Sequence, residues 1–167
     1  MSQDPAGDMS PHEEQQDGKK VVPKVVAFVL HGDEIAVFRQ DDEDSGLQVP
    51  AGTLRDGEEP AAGALREAVE ETGLNGLEVT AFLGRYQFDI SPIREEIQDR
   101  FVFQLSVPLG QEREWINYEM HDGERPPTRL RFSWLPLGHP ELSELVVGQG
   151  TFLNLVHPRD AAAGDSA

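Results

Sequence analysis

The chain has no cysteine among its 167 residues. That excludes a disulfide framework, thiolate zinc sites, iron–sulfur clusters and a thiol nucleophile, and leaves oxygen and imidazole as the only metal donors, which favours hard cations. Long hydrophobic runs are also missing. The longest, Val25 to Leu30, is far too short to cross a bilayer, and the polar stretch Met1 to Lys20 lacks the apolar segment of a signal peptide. A soluble cytoplasmic protein without membrane contact is the expectation. Positive charge is scarce: 14 Lys and Arg stand against 31 Asp and Glu, a formal charge of -17. Such a surface opposes unspecific binding of nucleic acid, so an anionic ligand needs a local remedy, either gathered arginines or cations held by the surplus carboxylates. The five histidines are scattered without ligand spacing and receive no assignment.

What is present fits one domain. Apolar residues make up 38% of the chain, enough for one core once polar ends are set aside. Met1 to Lys20 reads as a disordered leader, residues 21–157 as the folded domain, and residues 158–167 as a disordered tail. Val25 to Leu30 and Ile35 to Phe38 flank Gly32 and read as a hairpin. Leu77 to Phe88 reads as a strand bent at Gly84, and Phe101 to Val107 and Leu130 to Leu135 as further strands. Two helices are expected, Pro60 to Thr72 and a weaker one from Pro140 to Val147. The polar stretch from Gly110 to Thr128 reads as a long connection containing Trp115, Ile116 and Tyr118, with a lid, a dimer contact and a pocket wall all open as roles. Strands before, between and after two helices imply a mixed-sheet layered α/β fold.

The first helix carries the chemical signal. Pro60 suits its first turn and Gly73 its left-handed end. Ala61, Ala64, Leu65, Ala68, Val69 and Thr72 recur at helical spacing as the face that packs on the sheet. On the other side Glu67, Glu70 and Glu71 stand at i, i+3 and i+4, within reach of a common point. Like charges at this spacing repel unless a cation lies between them. Three carboxylates leave positions in magnesium's octahedral shell for water and phosphate oxygens.

Gly52, Glu58, Arg66, Glu67, Ala68, Glu70, Glu71, Gly73 and Leu74 match the pattern Gly-x5-Glu-x7-Arg-Glu-U-x-Glu-Glu-x-Gly-U, with U aliphatic, at every fixed position. The chain thus resembles the Nudix hydrolases (MutT-like). The resemblance implies an α/β/α sandwich with a central mixed β-sheet and cleavage of a phosphoanhydride bond with Mg2+ or Mn2+. Carried over by position, Glu70 and Glu71 would be metal ligands and Glu67 a ligand or the general base. Glu58 would act through a water in the metal's shell or a salt bridge, a backbone carbonyl of Ala51 or Gly52 would face the metal, and Arg66 would orient a neighbouring glutamate. Gln48 departs from the aromatic or acidic residue frequent in the family, and Ala51 from its second glycine.

Beyond the motif the residues speak less clearly. The base is Glu67 or a glutamate outside the motif, with Glu95, Glu96, Glu112, Glu114, Glu119 and Glu124 as candidates. Arg39, Arg85 and Arg94 are candidate phosphate contacts. Phe38, with Tyr86, Phe88 and Trp115, is a candidate for stacking on a base, whereas Trp134 reads as core. A nucleoside triphosphate is the first choice of substrate, and ADP-ribose or another nucleotide sugar the second. A nucleotide-sensing module that binds without cleaving is the competing class, and a homodimer is a possible assembly.

Overall fold

The structure is a computed structural model and describes residues 14–16, 18–41 and 45–158. Alternating and continuous apolar runs become one mixed sheet. Its strands are β1 (Glu14–Gln16), β2 (Lys19–His31), β3 (Glu34–Gln40), β4 (Ala51–Thr53), β5 (Glu78–Asp89), β6 (Glu96–Ser106), β7 (Glu114–Glu119) and β8 (Thr128–Pro136). The order is β5-β6-β2-β3-β8-β7, with β1 and β4 each paired to β2. β2 and β6 run parallel from Lys20 opposite Glu96 to Leu30 opposite Ser106, and the other pairings are antiparallel. This central pair is buried almost throughout because both faces are covered.

The expected hairpin forms. Leu30 pairs with Ile35 and His31 with Glu34, and the two-residue turn begins at Gly32 with φ 63°. β5 carries bulges between Val79 and Ala81 and between Phe82 and Gly84, where the glycine interrupts the apolar pattern.

α1 (Pro60–Thr72) starts with proline in its first turn and ends at Gly73, whose φ of 72° is left-handed and whose N–H reaches the Val69 carbonyl. Ala64 and Ala68 pack against Val25, Ala27, Phe101 and Phe103. The packed stripe is narrower than the sequence suggests: Ala61 and Val69 are exposed, and Glu71 is buried in their stead. Small residues bring the helix backbone close to the sheet, so a side chain at its flank falls inside.

Three elements differ from expectation. Residues 140–148 do not form an α-helix. They make 3-10 turns at Pro140–Glu144 and Val146–Gly148, followed by another at Leu153–Leu155. Leu145 bridges to Leu47, and Val146 donates its N–H to the Leu47 carbonyl at 3.1 Å, which a continuing helix would forbid. These turns cover the second face, over Val26, Phe28, Leu30 and Val102. The connection from 110 to 128 contains β7, an edge strand whose alternation is hidden by its mixed polar residues. The leader read at residues 1–20 overlaps β1 and the first residues of β2, while residues 1–13 and the tail from 159 lie outside the described residues. Among the described residues no helix is long and apolar enough to cross a membrane.

Candidate active site

β4 and the loop before it place Gly52 against α1. A Cβ at Gly52 would overlap the Glu67 carboxylate, so glycine there lets the acid lie directly on the backbone. Ala51, one residue earlier, donates its N–H to Glu71 Oε1 at 3.2 Å. The two glutamates are thereby tied to the loop from opposite sides.

Arg66 organises the near end. Its Nε and Nη2 each reach a Glu58 oxygen at 2.8 Å, Nη1 reaches Glu67 Oε2 at 2.8 Å and Glu70 Oε1 at 3.4 Å, and Nη2 also donates to the Thr53 carbonyl at 3.2 Å. The paired guanidinium, helped by the N–H of Arg55, holds Glu58 down to about 2. Both Glu58 oxygens are therefore engaged with Arg66. Glu70 is half exposed, with Arg55 Nη2 3.7 Å from its second oxygen.

Glu71 has the opposite environment. It is 5% exposed and, among the described residues, its carboxylate has no cationic partner. Burial pushes its carboxyl well above the ordinary carboxylate range, and Glu119 and Glu67 push it further. Burial also raises Glu67, against the pull of Arg66, with Glu70 and Glu119 adding to the rise. Among the described residues no three such side chains are already drawn together into a metal cluster.

Glu119 is the residue the sequence named but did not separate from its neighbours. On β7, Trp115 Nε1 donates to the Thr72 carbonyl at 2.8 Å, and Asn117 Nδ2 donates to the carbonyls of Glu70 at 3.0 Å and Glu71 at 2.8 Å. Glu119 shares their face and so points along α1 toward Glu71. Glu114 has the other parity and borders a groove on the far side of the sheet. Glu96 pairs with Arg94 and with Gln98, Glu112 offers a carbonyl to Trp134, and Glu95 and Glu124 are exposed. A signal existed in the sequence: Trp115, Asn117 and Glu119 alternate with Ile116 and Tyr118.

The remaining candidates lie elsewhere. Arg39 pairs with Glu141 at 3.1 Å, beside a groove of about 480 Å³ shared with Arg131, Leu135 and Ile116, on the face away from α1. Arg85 grips Asp99 through two bonds of 3.0 and 2.8 Å and lies over the Phe101 ring. Phe38 is in the core, 4.9 Å from the Phe132 ring, and Trp134 is buried beside Trp115. None of these four joins the carboxylates. Tyr86 and Phe88 line up with Arg100 under the C-terminal turns.

Comparison with known proteins gives the following. The NUDIX domain family model matches residues 20–153. The RNA pyrophosphohydrolase of Roseobacter denitrificans (strain ATCC 33942 / OCh 114) is 27% identical over 115 residues, 59% of this chain and 64% of that protein, so the chain spans under two-thirds of its relative. The MutT protein from Methanosarcina mazei Go1 superposes with a TM-score of 0.57 at 16% identity, covering 89% of this chain and 98% of the other. A NUDIX hydrolase from Nitrosomonas europaea gives 0.56 at 20% identity over 86% and 89%. At these identities the solved structures speak for the fold alone.

Proposed function

The chain belongs to the NUDIX domain family, and from that premise we propose that it hydrolyses a phosphoanhydride bond of a nucleoside phosphate, with a nucleoside triphosphate as first substrate and ADP-ribose or a nucleotide sugar as second. One observation carries the reading: Glu71, buried and, among the described residues, without a cationic partner, lies within the electrostatic reach of Glu67 and Glu119 while the nearby guanidinium of Arg66 is committed to Glu58 and Glu67. A stable protein gains nothing from such crowding of like charges, and a divalent cation relieves it.

The donor set is all carboxylate and carbonyl oxygen, which suits Mg2+ or Mn2+. Glu67, Glu70 and Glu71 would hold the ion, with Glu119 at hand. When bound, the ion supplies neutralising charge for the phosphate oxygens and makes the attacking water more acidic. The chain supplies the rest. Arg66 fixes Glu67 in one orientation, and Ala51 fixes Glu71. Glu119, without an ion-pair partner among the described residues, is the acceptor we assign for the water's proton. Arg55, 60% exposed beside Glu70, is placed to meet an incoming phosphate.

The test is product identification on nucleoside triphosphates, 5′-triphosphorylated RNA, ADP-ribose, dinucleoside polyphosphates and nucleotide sugars with Mg2+ or Mn2+, beside Glu70→Gln and Glu119→Gln. Cleavage of one class, with Glu70→Gln inactive, is the expected result, and the products name the bond attacked. Nucleotide binding without cleavage of any substrate would replace this reading with that of a sensing module.

A further inference from the structure

Two features that oppose stability meet at the C-terminal turn Val146–Gly148. Val147, a β-branched residue, is held at φ 44° and ψ 44°, in the left-handed region that favours glycine. The group that holds it is Arg100, 2% exposed, whose Nη1 donates to the Val147 carbonyl at 2.6 Å. Arg100 has no carboxylate partner among the described residues. Its remaining bonds go to Gln98 Oε1, from Nε at 3.0 Å and Nη2 at 2.8 Å, and to the Tyr86 hydroxyl at 2.9 Å, with its guanidinium 4.6 Å over the Phe88 ring. A buried charge satisfied only by neutral groups and a strained valine are both costs that an apolar plug would avoid.

Both costs converge on one place. Tyr86 donates its hydroxyl to the Gly148 carbonyl at 2.8 Å, and Gly148 has no room for a Cβ, which would lie 2.7 Å from the Phe88 ring. The turn held in this way presents the next residue, Gln149, 7% exposed, and its Oε1 accepts the Val49 N–H at 2.8 Å. Val49 and Pro50 lead directly into β4, whose first residue, Ala51, is the one whose N–H fixes Glu71. Arg100 touches none of the carboxylates itself.

We propose that Arg100 is a positioning residue for the active site, acting through Val147 and Gln149 on the backbone of Val49 to Ala51 and so on the orientation of Glu71. The inference deepens the hydrolase reading and rests on it for its kinetic part. Its structural part stands alone.

The experiment uses the full chain carrying Arg100→Lys, Arg100→Met, Gln149→Leu and the double variant Arg100→Lys/Gln149→Leu. Amide hydrogen exchange at Val49 and Ala51 is read by NMR, with Val102 on β6 as the reference for global opening. The kcat and KM of each variant on the best substrate complete the set. Gln149→Leu and Arg100→Lys both speed exchange at Val49 and Ala51 relative to Val102, with Arg100→Lys the milder because lysine still donates to one carbonyl. A displacement of this kind lowers kcat by about tenfold at nearly constant KM, and coupling through one path leaves the double variant within about threefold of Gln149→Leu alone. Unchanged exchange at Val49 and Ala51 in Arg100→Lys overturns the proposal, as does multiplication of the two kinetic losses in the double variant. A wild-type protein with no turnover on any substrate sinks the hydrolase reading instead, and the exchange result still decides the relay. Arg100→Lys and Gln149→Leu keep the test decisive if Arg100→Met does not fold.

Discussion

Glu71 and Glu58 are both acids of one motif, yet their surroundings set them far apart. Glu58 receives two bonds from Arg66 and a backbone N–H, so its charge is satisfied; Glu71 receives one backbone N–H and is otherwise surrounded by acids. Removing the charge from Glu71 therefore relieves the metal-free protein. Glu71→Gln keeps an oxygen for the Ala51 N–H and is expected to stabilise the metal-free protein by about 1 kcal/mol, since a buried unpaired charge is the more expensive group. The midpoint of thermal unfolding in chelator then rises by a few degrees, roughly 2–4 °C per kcal/mol at this chain length, while turnover with Mg2+ is lost. A variant with lower stability in chelator would contradict the account of Glu71. The neighbouring glycine makes a sharper contrast. Gly52→Ala places a methyl where the Glu67 carboxylate now lies, so kcat should fall at least about tenfold while the fold, read by circular dichroism, persists.

At the scale of elements, legibility followed local chemistry. α1 was readable because its start, its stop and its chemistry are all encoded within 60–73, and the β2–β3 hairpin because Gly32 sits between two apolar runs. β7 was not readable, because its inward residues Trp115, Asn117 and Glu119 include two polar ones whose purpose is another element's carbonyls and carboxylates. The segment after Pro140 has a helix-like local pattern, yet it forms turns because the bridge to Leu47 is nonlocal and overrides propensity. Glu119 could be named from the sequence but not chosen, for the same reason. Asn117 is the test of this coupling between elements. Asn117→Ala leaves two carbonyls at the end of α1 without their donor and should cost about 1–2 kcal/mol, with a loss of turnover larger than unfolding explains at 25 °C; unchanged stability would mean that α1 is held by packing alone. The ion pair joining the hairpin to the start of β7 gives a pH effect. Arg113 bonds Glu34 twice at 2.7 Å and, more than His31 does, holds its carboxyl below the ordinary range. A depressed folded value means that the contribution is complete above the unfolded value and is lost as pH falls through the folded one. Arg113→Ala should raise the Glu34 titration midpoint toward the ordinary range in an NMR pH series, with little change in stability because solvent screens the exposed Arg113.

At the scale of the whole molecule, the charge of -17 and a polyanionic substrate are in conflict. The described site offers only a few cations near the carboxylates, and Arg66 is spent on Glu58 and Glu67. Attraction at contact therefore depends on Arg55, on Lys24, which bonds Thr53 and lies within reach of Glu67, and on a bound divalent ion, and all three act over short distances. Repulsion by the rest of the surface acts over longer ones, reaching about 30 Å at 0.01 M salt and about 8 Å at 0.15 M. Encounter should consequently be slow at low salt and recover as the surface is screened, the inverse of the behaviour of enzymes whose field draws substrate in. With free Mg2+ held constant, kcat/KM for a nucleoside triphosphate is expected to rise about two- to fivefold as NaCl increases over that range, while kcat stays nearly flat because the buried contacts of Glu71 and Glu67 are screened little. A steady decline of kcat/KM with salt would show instead that the local field at the carboxylates, once a cation is bound, already outweighs the charge of the whole chain at the distance where substrate is captured.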